Sequence, residues 1–311
     1  MSFSYREEQR GKRLLDVLTD EAGGSRLIVS RLGAELVSLA RRNASGEWVG
    51  FLHRDNDLSV PAKGWANHAT VMGYYLHRIK DQRTSYRGQV IEGGTHSFLR
   101  GKQWHVAQAD SDGGRLTYRI GQKDFSAGEY PLNVSLDLSY QLAGSDLRTI
   151  FRFTNHEPEL VAHVGFGLHP GFAARSFESF RLDMPAGIYR RHFSPTNYLS
   201  GETETVAHRG GEMPFARDNL PGSYILEFVD VPQRIFTFHD PPSGRTIAVD
   251  LAGVPYVTLW SDGGPFLCVE PCWGLTDHEQ QRPFEEKEGI QTIAPGGVLE
   301  ANFAMAARLD H

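Results

Sequence analysis

The chain has 311 residues, 40% of them hydrophobic, with a formal net charge of −6 and an isoelectric point near 6.1. At roughly 100 to 200 residues per domain, that length supplies a sizeable core and admits one large domain or two ordinary ones. The acidic balance, with no block of Lys or Arg, argues against nucleic acid and acidic membranes as main partners and fits a small neutral ligand better.

From the N-terminus onward, Met1 to Glu8 carries charges where a signal peptide needs an apolar core. No apolar run approaches the ~18 residues of a membrane span, so the expectation is a soluble, cytoplasmic protein. Leu27 to Ser30 and Glu35 to Ala40 read as strands. Trp104 to Ala109 and Arg115 to Ile120 flank Asp112-Gly113-Gly114 as a hairpin. The clearest alternation is Val134, Leu136, Leu138, Tyr140 and Leu142 with polar residues between, a strand with one wet face. Gly144-Ser145-Asp146 turns it back into Leu147 to Phe153.

Arg234 to His239, Thr246 to Leu251, Tyr256 to Trp260 and Phe266 to Val269 complete the strand candidates. Helical periodicity with caps is hard to find, and 33 glycines and 16 prolines, spread evenly, suit short strands and tight loops. There is no repeat, low-complexity tract or composition break. The expected fold is therefore all-β, a large antiparallel β-sandwich, because each alternating strand must bury one face. A cupin-type barrel or jelly roll is the physical alternative, but none of the thirteen histidines stands in a His-x-His pair. The only cysteines, Cys268 and Cys272, are too few for a disulfide framework or a zinc site and read as reduced packing residues.

Three separated segments frame acid/base residues between Gly and Pro: Gly94-Thr95-His96-Ser97-Phe98-Leu99-Arg100, Val164-Gly165-Phe166-Gly167-Leu168-His169-Pro170-Gly171-Phe172, and Cys268-Val269-Glu270-Pro271-Cys272-Trp273-Gly274. Two imidazoles and a carboxylate converging in a cleft can move protons on a neutral substrate without metal or cofactor. A Glu at the end of an apolar strand, before Pro271, is expected to be buried and to have its pairing ended by the proline. Burial makes a carboxylate a stronger base provided neighbouring donors keep it ionised. An imidazole of ordinary pKa, about 6.5, suits proton donation near neutrality.

Together with Tyr75-Leu76-His77-Arg78-Ile79-Lys80 upstream and Lys287-Glu288-Gly289-Ile290 and Ala294-Pro295-Gly296-Gly297 downstream, the order and spacing resemble the aldose 1-epimerase (galactose mutarotase-like) family from about Leu27 to the C-terminus. The resemblance implies one domain over 1–311, a galactose mutarotase-like supersandwich. It also implies interconversion of α and β anomers of an aldose or modified aldose, with Glu270 as general base, His169 as general acid, and His96 and Arg78 as sugar ligands. No cofactor and no metal are expected. The expected partner is a small-molecule sugar, with no nucleic acid and no membrane, and a homodimer is allowed.

Phe172 and Trp273 are candidate apolar platforms for a pyranose face, with core packing at least as strong a reading of each. Arg100 and Lys102 offer a phosphate site or a solvated loop face. The chain departs from the family at Ser97, where relatives have Gly, and at Gly171, where they commonly have an aromatic, so that a wider or reshaped pocket is expected. It also departs at Gly297, which follows Pro-Gly where relatives often have Glu. Asp218, Asp230 and Asp240 match no pattern for a carboxylate that would hold distal hydroxyls. A catalytically inactive carbohydrate-binding or sensing protein on the same fold is the alternative function. A glycosidase would need a second framed carboxylate.

Overall fold

The computed structural model describes residues 3–110, 113–213 and 223–310. Asp218 and the Asp112 end of the predicted hairpin turn lie outside them. Among the described residues there is no α-helix, only single 3-10 turns between strands.

Two large antiparallel sheets form the body. One has nine strands, in the order Gly211–Met213, Arg181–Met184, Ile235–Asp240, Arg245–Asp250, Val298–Leu309, Asp146–Asn155, Val134–Ala143, Arg115–Ile120 and His105–Asp110. The other runs Thr203–His208, Gly187–His192, Tyr224–Asp230, Tyr256–Trp260, Phe266–Trp273, Ala162–Ala173 and Gln291–Ile293, with Ala69–Tyr74 also paired to Ala162–Ala173. A five-stranded meander, Phe3–Arg10, Arg13–Asp20, Ser25–Ser30, Glu35–Arg42 and Trp48–Gly50, adds a third sheet. The expected strands are present, Arg115–Ile120 and Tyr256–Trp260 with the expected bounds and the others with ends shifted by at most four residues. The hairpin on either side of Gly144 pairs in perfect two-residue register, Ala143 opposite Asp146.

The inner faces of the large sheets meet through aromatic rings. Phe151 and Phe153 of the nine-stranded sheet lie 5.2 and 4.7 Å, centroid to centroid, from Phe166 of the other. One continuous core runs from Leu18 to Ala307. Burying a large side chain of this kind contributes roughly 1.5–3 kcal/mol, so the sandwich holds the outward face of the eight-stranded sheet firmly in place.

Candidate active site

Strand parity sets what reaches the outward face. Ala162–Ala173 pairs with Phe266–Trp273 so that Gly167 lies opposite Cys272 and Gly171 opposite Cys268. Continuing that register puts His169 opposite Glu270, on the same face of adjacent strands. The N–H of Gly171 points away, to the His68 carbonyl. By alternation, Pro170 faces the Phe266–Trp273 strand, and it has no N–H to give. Pro271, opposite Leu168, has none either, and the ladder opens between Gly167 and Gly171. Pro271 does not end its strand, as the sequence suggested, because pairing to Tyr256–Trp260 continues through it, Val257 opposite Pro271.

His169 and Glu270 are 4% and 1% exposed, and His169 Nε2 lies 3.3 Å from Glu270 Oε1. They sit at the floor of a cleft of about 310 Å³ whose lining includes His77, Arg78, His96, Arg100, Trp65 and Trp260. The residues expected as acid, base, His96, Arg78 and Arg100 are therefore together. Phe172 and Trp273 are not: both belong to the core, Phe172 against Phe238 and Trp273 stacked on Phe166. Each stands three residues from the catalytic candidate on its strand, and an odd step along a strand changes face.

The aromatic walls come from elsewhere. The Trp65 ring stacks on His169 at 4.8 Å, and Trp260 meets the same imidazole edge-on at 5.6 Å. Trp65 is held by its backbone, its N–H donating to Asp262 (2.9 Å) and its carbonyl meeting His53 Nε2 at 3.0 Å. Its indole fills the space over Gly171, where a Cβ would lie 2.5 Å from Cζ3. The small residue at 171 thus admits Trp65 and does not widen the pocket. Trp260 could have been placed from sequence once Tyr256–Trp260 was registered against Glu270; Trp65, on an irregular loop, left no such signal.

His77, read only as part of a framing segment, also belongs to the site: its Nε2 hydrogen-bonds Glu270 Oε2 at 3.1 Å. His77, His96 and Ser97 adopt left-handed backbone with φ of 50°, 62° and 66°. Such conformations cost a non-glycine residue on the order of 1–3 kcal/mol and gather at functional sites. Ser97 therefore holds a left-handed conformation that favours glycine, at some strain. The His96 N–H donates to the His77 carbonyl at 2.6 Å, and His96 Nδ1 is buried with no partner.

Burial, together with the nearby His169, His77 and Arg100, pushes His96 well below the usual imidazole value. Burial also lowers His169, against the pull of Glu270. Lys102 is not part of the cleft; it pairs with Glu129 at 2.7 Å. Asp230 is exposed at a strand end, and Asp240 is buried and bound by Ser179, Ser243 and the Arg175 N–H. Neither lines the cleft.

His77, Glu270 and Cys272 bring potential ligand atoms within 4.8 Å of one another. The Cys272 thiol, however, donates to the Glu270 carbonyl and meets the Thr258 hydroxyl, and burial raises its pKa well above the free value. Among the described residues these three groups are linked by hydrogen bonds, His77 to the Glu270 carboxylate and Cys272 to the Glu270 carbonyl. Cys268 and Cys272 are free and buried, as packing residues should be.

Fold and cleft define a class: a β-supersandwich whose outward sheet face carries an imidazole–carboxylate cleft walled by two indoles. The aldose 1-epimerase family model matches residues 16–305, and the chain belongs to that family. A galactose mutarotase related enzyme from Lactobacillus acidophilus superposes with a TM-score of 0.82 at 20% identity, over 98% of this chain and 97% of that one. A galactose mutarotase-like protein from Lactobacillus casei ATCC 334 gives 0.80 at 20% identity, over 98% and 100%. Protein LacX of Lactococcus lactis subsp. lactis is 25% identical over 211 residues, 64% of this chain and 70% of the relative. At such identities the solved structures establish the fold.

Proposed function

We propose that the protein is an aldose 1-epimerase that interconverts anomers of an aldose or modified aldose, with Glu270 as base and His169 as acid. The observation that carries this reading is the pair itself: a carboxylate and an imidazole 3.3 Å apart, buried, at the floor of an open cleft. Glu270 takes the proton of the anomeric hydroxyl while His169, as imidazolium, gives one to the ring oxygen, and the bond from C1 to that oxygen breaks. Rotation about C1–C2 presents the other carbonyl face. The two transfers then reverse, and enzyme and proton count are restored. Burial pushes His169 toward its neutral form, and the carboxylate beside it supports the charged form that donates. Trp65 and Trp260 supply faces on which the C–H side of a pyranose can stack. His96 lines the cleft, and its ring offers a hydrogen bond to the sugar.

The assay is polarimetry or NMR on freshly dissolved anomers of several aldoses with chelator present. Faster equilibration that is lost by ~10² to 10⁴-fold in His169→Asn supports the reading. Sugar binding without equilibration would make the protein a sensor, release of a cleaved product would make it a hydrolase or lyase, and activity abolished by chelator and restored by metal would remove the cofactor-free mechanism.

A further inference from the structure

Glu270 is almost wholly buried, and among the described residues its carboxylate has a single hydrogen-bond partner, His77 Nε2 at 3.1 Å on Oε2. Its other oxygen faces His169. If His169 must turn its proton to the sugar, it cannot at the same moment serve the carboxylate. We propose that His77 is the positioning residue of the base: its Nε2–H holds Oε2, keeps Glu270 ionised and aims Oε1 at the anomeric hydroxyl. This rests on the mutarotase reading of the site.

The backbone of His77 makes the arrangement stiff. It sits at φ 50°, and its carbonyl receives the His96 N–H at 2.6 Å, so one residue fixes the base through its ring and the His96 loop through its main chain. The groups around Glu270 show what its loss would leave. Cys268 and Cys272 on its own strand are thiols whose pKa burial raises. The neighbouring strand brings His169, the His96 loop brings His96 and Arg100, and the segment of His77 itself brings Arg78. Neither Arg78 nor Arg100 hydrogen-bonds the carboxylate. Without His77 the charge would be buried with no fixed donor, a state that favours protonation.

The test compares His77→Phe, which keeps a ring but no donor, with His77→Gln, whose amide N–H reaches a similar distance. A hydrogen bond to a charged group is worth about 1.5–3 kcal/mol. The expected effect of the Phe variant is therefore a roughly 10- to 100-fold lower kcat at neutral pH with little change in KM. Its acid limb of kcat/KM should move upward by about one pH unit or more. The Gln variant should recover most of both. A second readout needs no activity: ¹³C NMR of protein labelled at the glutamate carboxyl, with the Glu270 signal assigned through Glu270→Gln, should show its titration midpoint moving upward in the Phe variant alone. An unmoved midpoint, or a Gln variant as impaired as the Phe variant, would overturn the proposal. A wild-type protein without mutarotase activity would sink the functional reading, while the midpoint would still decide what His77 does for Glu270.

Discussion

Two buried carboxylates in this molecule are treated in opposite ways. Asp16, on the Arg13–Asp20 strand of the N-terminal sheet, is fully buried and accepts from Tyr5 (2.8 Å), Tyr118 (2.9 Å) and both Nε (3.0 Å) and a terminal nitrogen (2.7 Å) of Arg31. Its hydrogen bond raises Arg31, and burial together with Asp16 raises both tyrosines, so every donor around it stays protonated at any ordinary pH. Glu270 is as deeply buried but has an imidazole on each oxygen, only one of them in hydrogen-bond geometry. A carboxylate saturated by a guanidinium and two phenols is inert. One left with titratable, half-engaged partners keeps a lone pair for substrate, and the difference lies in the donors and not in burial.

Replacing each acid by its amide should separate the two most sharply. Glu270→Gln is expected to lower turnover by ~10² to 10⁴-fold while the melting curve is kept. Asp16→Asn leaves Arg31 with Glu7 as its remaining ion-pair partner and should cost about 3 kcal/mol in denaturant titration while retaining turnover. A stable Asp16 variant with reduced kcat, or a Glu270 variant of unchanged kcat, would erase the distinction.

The fixed charges of the two regions differ as well. Around Asp16 the guanidinium is paired, whereas the side chains of Arg78 and Arg100 in the cleft have no hydrogen bond or ion pair among the described residues, and Glu270 is the only carboxylate among the lining residues. An aldose bearing phosphate or carboxylate should therefore show kcat/KM about tenfold above its neutral counterpart. That advantage should shrink with added salt and in Arg100→Ala. Equal values for glucose, galactose and their 6-phosphates at two ionic strengths would show the two arginines to be a solvated rim.

The smallest effect concerns pH. His96 and His169 are held below the usual imidazole value of 6.5, so below that pH the unfolded chain binds more protons than the folded one. The stability they permit is fully present above pH 6.5 and is lost as the pH falls through and below it. Melting temperature should drop by a few degrees between pH 7.5 and 5. The drop should be smaller in His96→Gln and unaltered in Asp16→Asn, and an equal drop in all three proteins would place the acid sensitivity outside the cleft.

Much of this was written in local sequence. Alternation from Val134 to Leu142 and the Gly-Ser-Asp turn specified a hairpin because side chains on a strand repeat every two residues. Pro271 was expected to end regular pairing because proline has no N–H; it interrupts only the ladder to Ala162–Ala173, and pairing to Tyr256–Trp260 continues through it. The same two-residue period could have excluded Phe172 and Trp273, each an odd step from its neighbour in the site. Only the tertiary structure decided which strands lie side by side, and with that what faces what. It brought Trp65 from a loop over Gly171, set Trp260 beside His169, gave Lys102 to Glu129 and left Arg100 free, and placed His77 on Glu270 from 193 residues away. The reason is physical: a strand's sequence fixes which of its side chains share a face, but the partner across that face is chosen by registers and loop paths that depend on the whole core.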